Sequence, residues 1–466
     1  MTQKHTPEKY PFDLPAVISS QVASGVKTPP ENDVAWQVLH RAHAQRLQSA
    51  WGGVLSRLGV DGLVIHSGQS VLKYSRDDQY WPTAMTPNFA HWCPYAETPA
   101  FLVIRPGEKP KLITERHQSF WEGPAPRNLR WDQTSFDVET VDDLGALKWP
   151  VSYAFIGDDL KLALKTGLVI EQCNRADLLA AADGFRTLKS DYEIASMRVA
   201  AEVAARGHNH LRKLFDQGPV SEFALHLEYL RLTEQSDFDL PYGNIVALGA
   251  NCGILHHVHY DRSVVDGATS LLVDAGATCN GFASDITRTW VRGSTEMAAF
   301  FGALIKAVDK AQRELVKGVT VGRRYEDLHN HAHALLASVL KDSGLVTCSV
   351  DEMVAAGLTR LFFPHGLGHS LGIQVHDVGM KLAKPSAENP YLRNTSMITA
   401  GQVVTIEPGI YFIPKLMQEV LSGPKKAIVN EALVKGLMPF GGIRIEDDIL
   451  VTTQGPINLT RDLVFE

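Results

Sequence analysis

The chain has 466 residues, 45% of them hydrophobic and 21% charged, with a net charge of −7. That length holds two or three domains with substantial cores, and the balance is ordinary for a soluble globular protein. The charge gives no footing to nucleic acid or to an anionic membrane surface, and no apolar run reaches the length of a membrane span.

The N-terminus, MTQKHTPEKYPFDLP, lacks the apolar core of a signal peptide. Cys93, Cys173, Cys252, Cys279 and Cys348 are odd in number, scattered and without a CxxC. They read as reduced thiols of a cytoplasmic protein and speak against a thiolate zinc site.

In chain order, residues 1–32 are rich in proline, lysine and polar residues and predict a loosely held arm. A helical pattern follows from Asp33 to Leu58, interrupted by the pair Gly52-Gly53. DGLVIHSG predicts a buried strand, and AFLVIRPGEKPKLIT two strands around a turn at Pro106-Gly107. VSYAFIG and DLLAAADGFRTL continue the alternation, which predicts an α/β domain over residues 33–184. Ser190 followed by Glu193 is a capping box opening a long helix, so a second domain is expected over 185–466. The helix VSEFALHLEYLRLTEQ has a weaker cap at Ser221, and further helices are expected at 297–317 and 325–343. Strands return in QVVTIEPGIYFI and GGIRIEDDILVT, with a surface insertion expected between them over PKLMQEVLSGPKKAIVNEALVKGLMPF. Helices flanking a mostly antiparallel sheet make this second domain α+β.

The chemistry concentrates in that second part. TSLLVDAGATCNGFASDITRTW reads as two strands joined at Asn280-Gly281, a pair suited to positive φ. With the turn centred there, Asp274 faces Thr287 and Asp285 faces Gly276, which makes the two aspartates diagonal neighbours on one face. Two carboxylates in an apolar strand pair need either a cation such as Arg288 or Arg292, or a metal. FFPHGLGHSLGIQVHDVG packs His365, His369 and His376 among four glycines, which let backbone come close to a ligand. Glu407 closes the apolar strand of VVTIEPG. Arg444 and Glu446, two apart on a strand, share a face, so Glu446 either pairs with Arg444 or ligates a metal. Two Asp, two Glu and one His suit two divalent ions such as Mn²⁺. Two such ions supply a nucleophilic hydroxide at neutral pH.

The ordered blocks VDAGA, SDITRT, HGLGHSLGIQVHD, TIEPGIY and GIRIEDD resemble the pita-bread metallopeptidases, a family that includes aminopeptidases, prolidases and creatinases. The similarity covers the chain from about residue 185 onward. Within that family, HSGQSVLKYSRDDQYWPTAMTPNFAHWCPY and MPFGGIRIED resemble the bacterial prolidases that group with organophosphorus acid anhydrolases.

The resemblance implies a pita-bread catalytic domain behind a smaller α/β domain of creatinase/prolidase type. It makes Asp274 a ligand of one metal, His369 and Glu407 ligands of the other, and Asp285 and Glu446 bridges between them. Glu407 would also shuttle a proton, with His365, His376 and Arg444 either supporting the metal ligands from behind or holding the substrate and its tetrahedral intermediate. His256 and Tyr242 would border the substrate pocket; His257 stands where the family has a tyrosine. In a homodimer, Asp78 and Trp121 would close the partner's pocket, unless Asp78 is a turn residue and Trp121 core packing. The implied reaction is hydrolysis of Xaa-Pro dipeptides by a hydroxide between two metal ions, with a side activity on organophosphate esters. The alternatives are an Xaa-Pro aminopeptidase on longer peptides, a metal-free creatinase-like hydrolase and a non-catalytic peptide-binding protein.

Overall fold

The computed structural model describes residues 34–82, 85–93, 99–116 and 134–463. The expected arm over 1–32 and Trp121 lie outside the described residues. The chain divides into two compact units, Met1–Ala182 with Ser190–Val199, and Asp183–Lys189 with Ala200–Glu466.

In the first unit the helix Val34–Leu58 buries Trp36, His40, His43, Leu47, Trp51, Val54 and Leu55, spaced three and four apart along one face. The Gly52-Gly53 pair does not interrupt it, contrary to expectation. Each glycine costs a helix about 1 kcal/mol, and burial of the flanking Trp51, Val54 and Leu55 offsets that cost. Strands β1 (Gly62–His66), β2 (Ala100–Ile104), β3 (Lys111–Glu115), β4 (Asp137–Val141) and β5 (Tyr153–Ile156) form one sheet in the order β4-β3-β2-β1-β5. The β1–β2 and β2–β3 pairs are antiparallel, while β1–β5 and β3–β4 are parallel. The β2–β3 turn uses Gly107 at φ 77°.

The helix Asp191–Gln217 opens on the expected box: Ser190 N donates to Glu193 Oε2 at 2.7 Å, and Glu193 N to Ser190 Oγ at 3.4 Å. The Ser221 cap is also formed, accepting from Ala224 N at 3.1 Å. In the second unit β6 (Ile245–Leu248), β7 (Ser270–Asp274), β8 (Thr278–Cys279), β9 (Phe282–Ala283) and β10 (Thr287–Val291) precede the helices Glu296–Lys317 and Tyr325–Asp342. β11 (Val403–Ile406), β12 (Gly409–Tyr411), β13 (Gly442–Arg444), β14 (Asp447–Thr452) and β15 (Gly455–Asn458) follow. Every pairing among these strands is antiparallel, which makes the unit α+β.

Two apolar cores flank the functional strands. One joins Phe215, Leu225 and Tyr229 to Val246, Leu271, Val273 and Trp290. The other joins Phe301, Leu304, Leu328 and Leu336 to Val404, Ile406, Ile443 and Ile449. The stretch 414–440, expected as a surface insertion, corrects that reading. It forms helices Pro414–Ser422 and Glu431–Leu437, whose Met417, Val420, Val434 and Leu437 are buried in the second core. Their helical spacing places these apolar residues on faces that only burial satisfies. Among the described residues no helix is long and apolar enough to cross a membrane.

Candidate metal centre and substrate pocket

Asn280 and Gly281 both take positive φ, 51° and 77°, as a tight hairpin turn of primed type requires. The register is the same on both sides of the bend, with Cys279 opposite Phe282 and Asp274 opposite Thr287. Asp274 and Asp285 therefore meet on one face, where Tyr242 Oη lies 2.8 Å from Asp274 Oδ1 and 2.5 Å from Asp285 Oδ1.

The glycine loop runs against β11. Thr405 N donates to His369 O, and Glu407 N to Leu367 O, both at 2.9 Å. A Cβ on Gly368 would fall 2.1 Å from Thr405 O, so only glycine allows that approach. His369 Nδ1 donates to Ser370 O at 3.0 Å. Its neutral ring therefore presents a bare Nε2, 3.4 Å from Asp285 Oδ2 and 3.6 Å from Glu407 Oε1. Glu446 enters beside them through its bridge to Thr287, whose Oγ1 donates to Glu446 Oε2 at 2.6 Å.

Asp285, His369 and Glu446 offer donor atoms within 4.8 Å of one another. Burial and the neighbouring acids push the carboxyls of Asp285 and Glu446 well above the usual range. Burial pushes Glu407 up to about 7, against the pull of His369 and Arg444. These acids cannot all ionise together unless a cation replaces their protons. The donor set therefore fits divalent metal.

The expected rival cations are engaged elsewhere. Arg288 pairs with Asp447 at 2.7 Å, and Arg292 donates to the carbonyls of Phe215 and Gly218. Arg444 is the cation that meets these carboxylates, donating to Asp274 Oδ2 at 2.6 Å and to Tyr411 Oη at 3.0 Å. His365 Nδ1 donates to Gly366 O and its Nε2 accepts from Tyr411, both at 2.8 Å. Burial and Arg444 push this imidazole down to about 3, so it stays neutral. His376 Nδ1 accepts from Arg393 Nη1 at 3.1 Å, which puts the ring proton on Nε2. Burial, His369 and Arg393 push it to about 3 as well.

A cavity of about 740 Å³ gathers Tyr242, His256, Asp274, Asp285, His365, His369, His376, Glu407, Arg444 and Glu446 on its wall. His256 is exposed on that wall, whereas His257 turns inward and bonds Glu222 Oε2 at 2.7 Å. Asp78, in the first unit, is exposed; its amide bonds Asp77 and its carboxylate accepts from Gln79.

Sequence reasoning missed four residues. Arg393 lines the cavity, Tyr411 links Arg444 to His365, and Asp448 Oδ2 receives the Asp285 amide at 3.1 Å. Buried Glu222 accepts from His257, Leu248 N, Asn251 and Asp261 N, holding the segment that carries His256. Asp448 is the third carboxylate of the Glu446-Asp447-Asp448 run and Tyr411 ends the TIEPGIY block, a signal for each; Arg393 and Glu222 had none in the sequence.

The profile described as Metallopeptidase family M24 matches residues 195–453, and that of the Xaa-Pro dipeptidase N-terminal domain matches residues 38–182. The chain belongs to metallopeptidase family M24. An Xaa-Pro dipeptidase of Pseudoalteromonas atlantica is 39% identical over 438 residues, covering 91% of this chain and 98% of that protein. One of Marinobacter nauticus is 40% identical over 429 residues, with the same coverages of 91% and 98%. Proline aminopeptidase P II from Yersinia pestis superposes with a TM-score of 0.70 at 21% identity, covering 91% of this chain and 97% of that one. An Escherichia coli aminopeptidase P variant gives 0.70 at 22%, covering 91% and 96%. At that identity the likeness establishes the shared pita-bread fold. As an M24 metallopeptidase the chain works with divalent metal ions, and its buried carboxylates and bare imidazole nitrogen are suited to hold them.

Proposed function

We propose that this M24 member is an Xaa-Pro dipeptidase that releases free proline. The observation that carries the reading is the meeting of the five-donor set with an exposed arginine in one cavity. Arg393 lines that cavity, and His376 is its one polar partner among the described residues. A guanidinium there suits a substrate whose C-terminal carboxylate lies one residue beyond the scissile bond. The names of the curated relatives support the same substrate.

Asp274 would hold one ion, His369 and Glu407 the other, with Asp285 and Glu446 between them. The oxygen-rich set favours Mn²⁺. When bound, the ions supply Lewis acidity and a nucleophilic hydroxide at neutral pH. Proline makes the scissile bond a tertiary amide with no N–H to grip, so the site must hold the substrate by its ends. Glu407 would also carry a proton to the departing proline nitrogen. His376, with its proton on Nε2, donates to the oxyanion. The Arg444–Tyr411–His365 chain keeps His365 neutral and Asp274 oriented.

The same donors accept a tetrahedral phosphorus ester as a secondary substrate. Cytoplasmic location and a homodimer complete the reading. The local bonding of exposed Asp78 leaves its carboxylate available to close the pocket of a second protomer.

The test is free-proline release from matched dipeptides and tripeptides by metal-stripped protein, with and without added Mn²⁺. Metal-dependent cleavage of dipeptides ending in proline is expected. Equal turnover of tripeptides would move the chain to aminopeptidase activity, and no turnover in either series would refute catalysis on Xaa-Pro bonds.

A further inference from the structure

A second cluster of metal-type donors lies in the first unit, outside the catalytic pocket. His43 comes from the helix Val34–Leu58, His91 from the turn ending the helix Pro87–Ala90, and Glu193 from the first turn of the helix Asp191–Gln217. All three are buried, and their donor atoms lie within 4.8 Å of one another.

The spacings are those of co-ligands. His91 Nε2 is 3.3 Å from Glu193 Oε1, and His43 Nδ1 is 3.6 Å from Glu193 Oε2. A charge-assisted hydrogen bond would close to about 2.7–2.9 Å. Two donors on a tetrahedral ion at about 2.0–2.1 Å stand roughly 3.3–3.4 Å apart. The corresponding separation in the catalytic set, His369 to Asp285, is 3.4 Å.

The orientation of His43 agrees. Its Nε2 lies 2.7 Å from the carbonyl of His91, which has no proton to give, so Nε2 carries the hydrogen. Nδ1 is then the acceptor, taking a hydrogen bond from Ser190 Oγ at 2.8 Å, and a bound ion would take that lone pair in place of the hydroxyl proton. A metal-binding histidine has this arrangement, one nitrogen donating to a carbonyl and the other facing the ion. His369 shows the same pattern with its nitrogens exchanged. Burial pushes His43 down to about 4, so the ring is neutral at physiological pH. On Glu193, Oε2 serves the helix cap and meets Arg46 at 3.4 Å, while Oε1 lies 3.3 Å from His91 Nε2.

We propose that His43, His91 and Glu193 form a structural metal site in the first unit, with water completing a tetrahedral shell. Two imidazoles and one carboxylate select a zinc-class ion over a hard ion such as Mg²⁺. The ion ties together three segments distant in sequence, and it takes no part in hydrolysis.

Full-length protein carrying Asp285→Asn and Glu446→Gln, which disable the catalytic donors, is loaded with Zn²⁺ and gel-filtered. One retained equivalent per chain is expected, and X-ray absorption at the zinc edge should show two imidazole ligands. The catalytic pocket proposed above has one histidine ligand, so a shell with one imidazole or none overturns the proposal, as does a zinc-free chain. In the otherwise unaltered protein, His91→Ala should lower total zinc by one equivalent and leave Xaa-Pro hydrolysis in Mn²⁺ unchanged. Equal zinc content in the two proteins would also overturn it.

Discussion

Arg444 reaches across 170 residues of sequence to Asp274, with Nη2 donating to Oδ2 at 2.6 Å, while Nη1 donates to Tyr411 Oη. One planar fork therefore orients a proposed metal ligand and the hydroxyl that serves His365. Burial opposes the charge, yet Tyr411, Asp274 and Glu446 hold the guanidinium well above its usual range. Lysine brings a charge but no fork. Arg444→Lys should lower kcat/KM on an Xaa-Pro dipeptide by roughly 10–100-fold, taking about 1.5–3 kcal/mol for a hydrogen bond to a charged group. A rate within error of the unaltered enzyme would remove Arg444 from the mechanism.

Asp285→Asn should reduce metal-dependent hydrolysis by roughly 10²–10³-fold or more, the usual effect of losing one electrostatic stabiliser. The fold should persist. Burial and Asp274 already favour the protonated carboxyl, which asparagine imitates. Melting of the metal-stripped variant at or above the midpoint of the stripped parent is the expected result, measured alongside bound metal.

Removing metal should invert the pH dependence of stability. The buried Glu407 carboxyl titrates at about 7 against an ordinary value of 4.5. A raised carboxyl pKa favours the fold while the group is protonated in both states. That contribution is complete below about pH 4.5 and fades as pH rises through about 7. Metal-stripped protein should melt at progressively lower temperature over this window, whereas Mn²⁺ should bind more tightly as the protons leave. Parallel melting curves for the stripped and loaded forms would contradict the assignment of Glu407 as a ligand.

Arg393 should govern recognition of the free carboxylate. Arg393→Ala is expected to raise KM for dipeptides by roughly 10–100-fold, from about 1.5–3 kcal/mol for a charge-assisted contact. It should leave the already poor hydrolysis of the corresponding dipeptide amides little changed. An equal loss on acids and amides would assign Arg393 to holding His376 instead.

What the sequence determined about this protein was local or ordered along the chain. The Asn280-Gly281 turn set the strand register, and with it the meeting of Asp274 and Asp285, because two adjacent residues at positive φ suffice to define it. The Ser190–Glu193 cap and the close approach at Gly368 were legible for the same reason. The five ordered motifs carried the fold family and the donors that line the cavity.

Tertiary structure decided what depends on partners far away. Nothing near Arg393 marked it as a cavity cation, and adjacent His256 and His257 part ways because Glu222 draws one of them inward. The helices at 414–440 looked peripheral until their apolar faces met the core. His43, His91 and Glu193 are distant in sequence and become one donor set only where helix packing excludes water. A turn is fixed by the dihedrals of a few residues, whereas a buried charge is fixed by whichever distant group desolvation compels it to find.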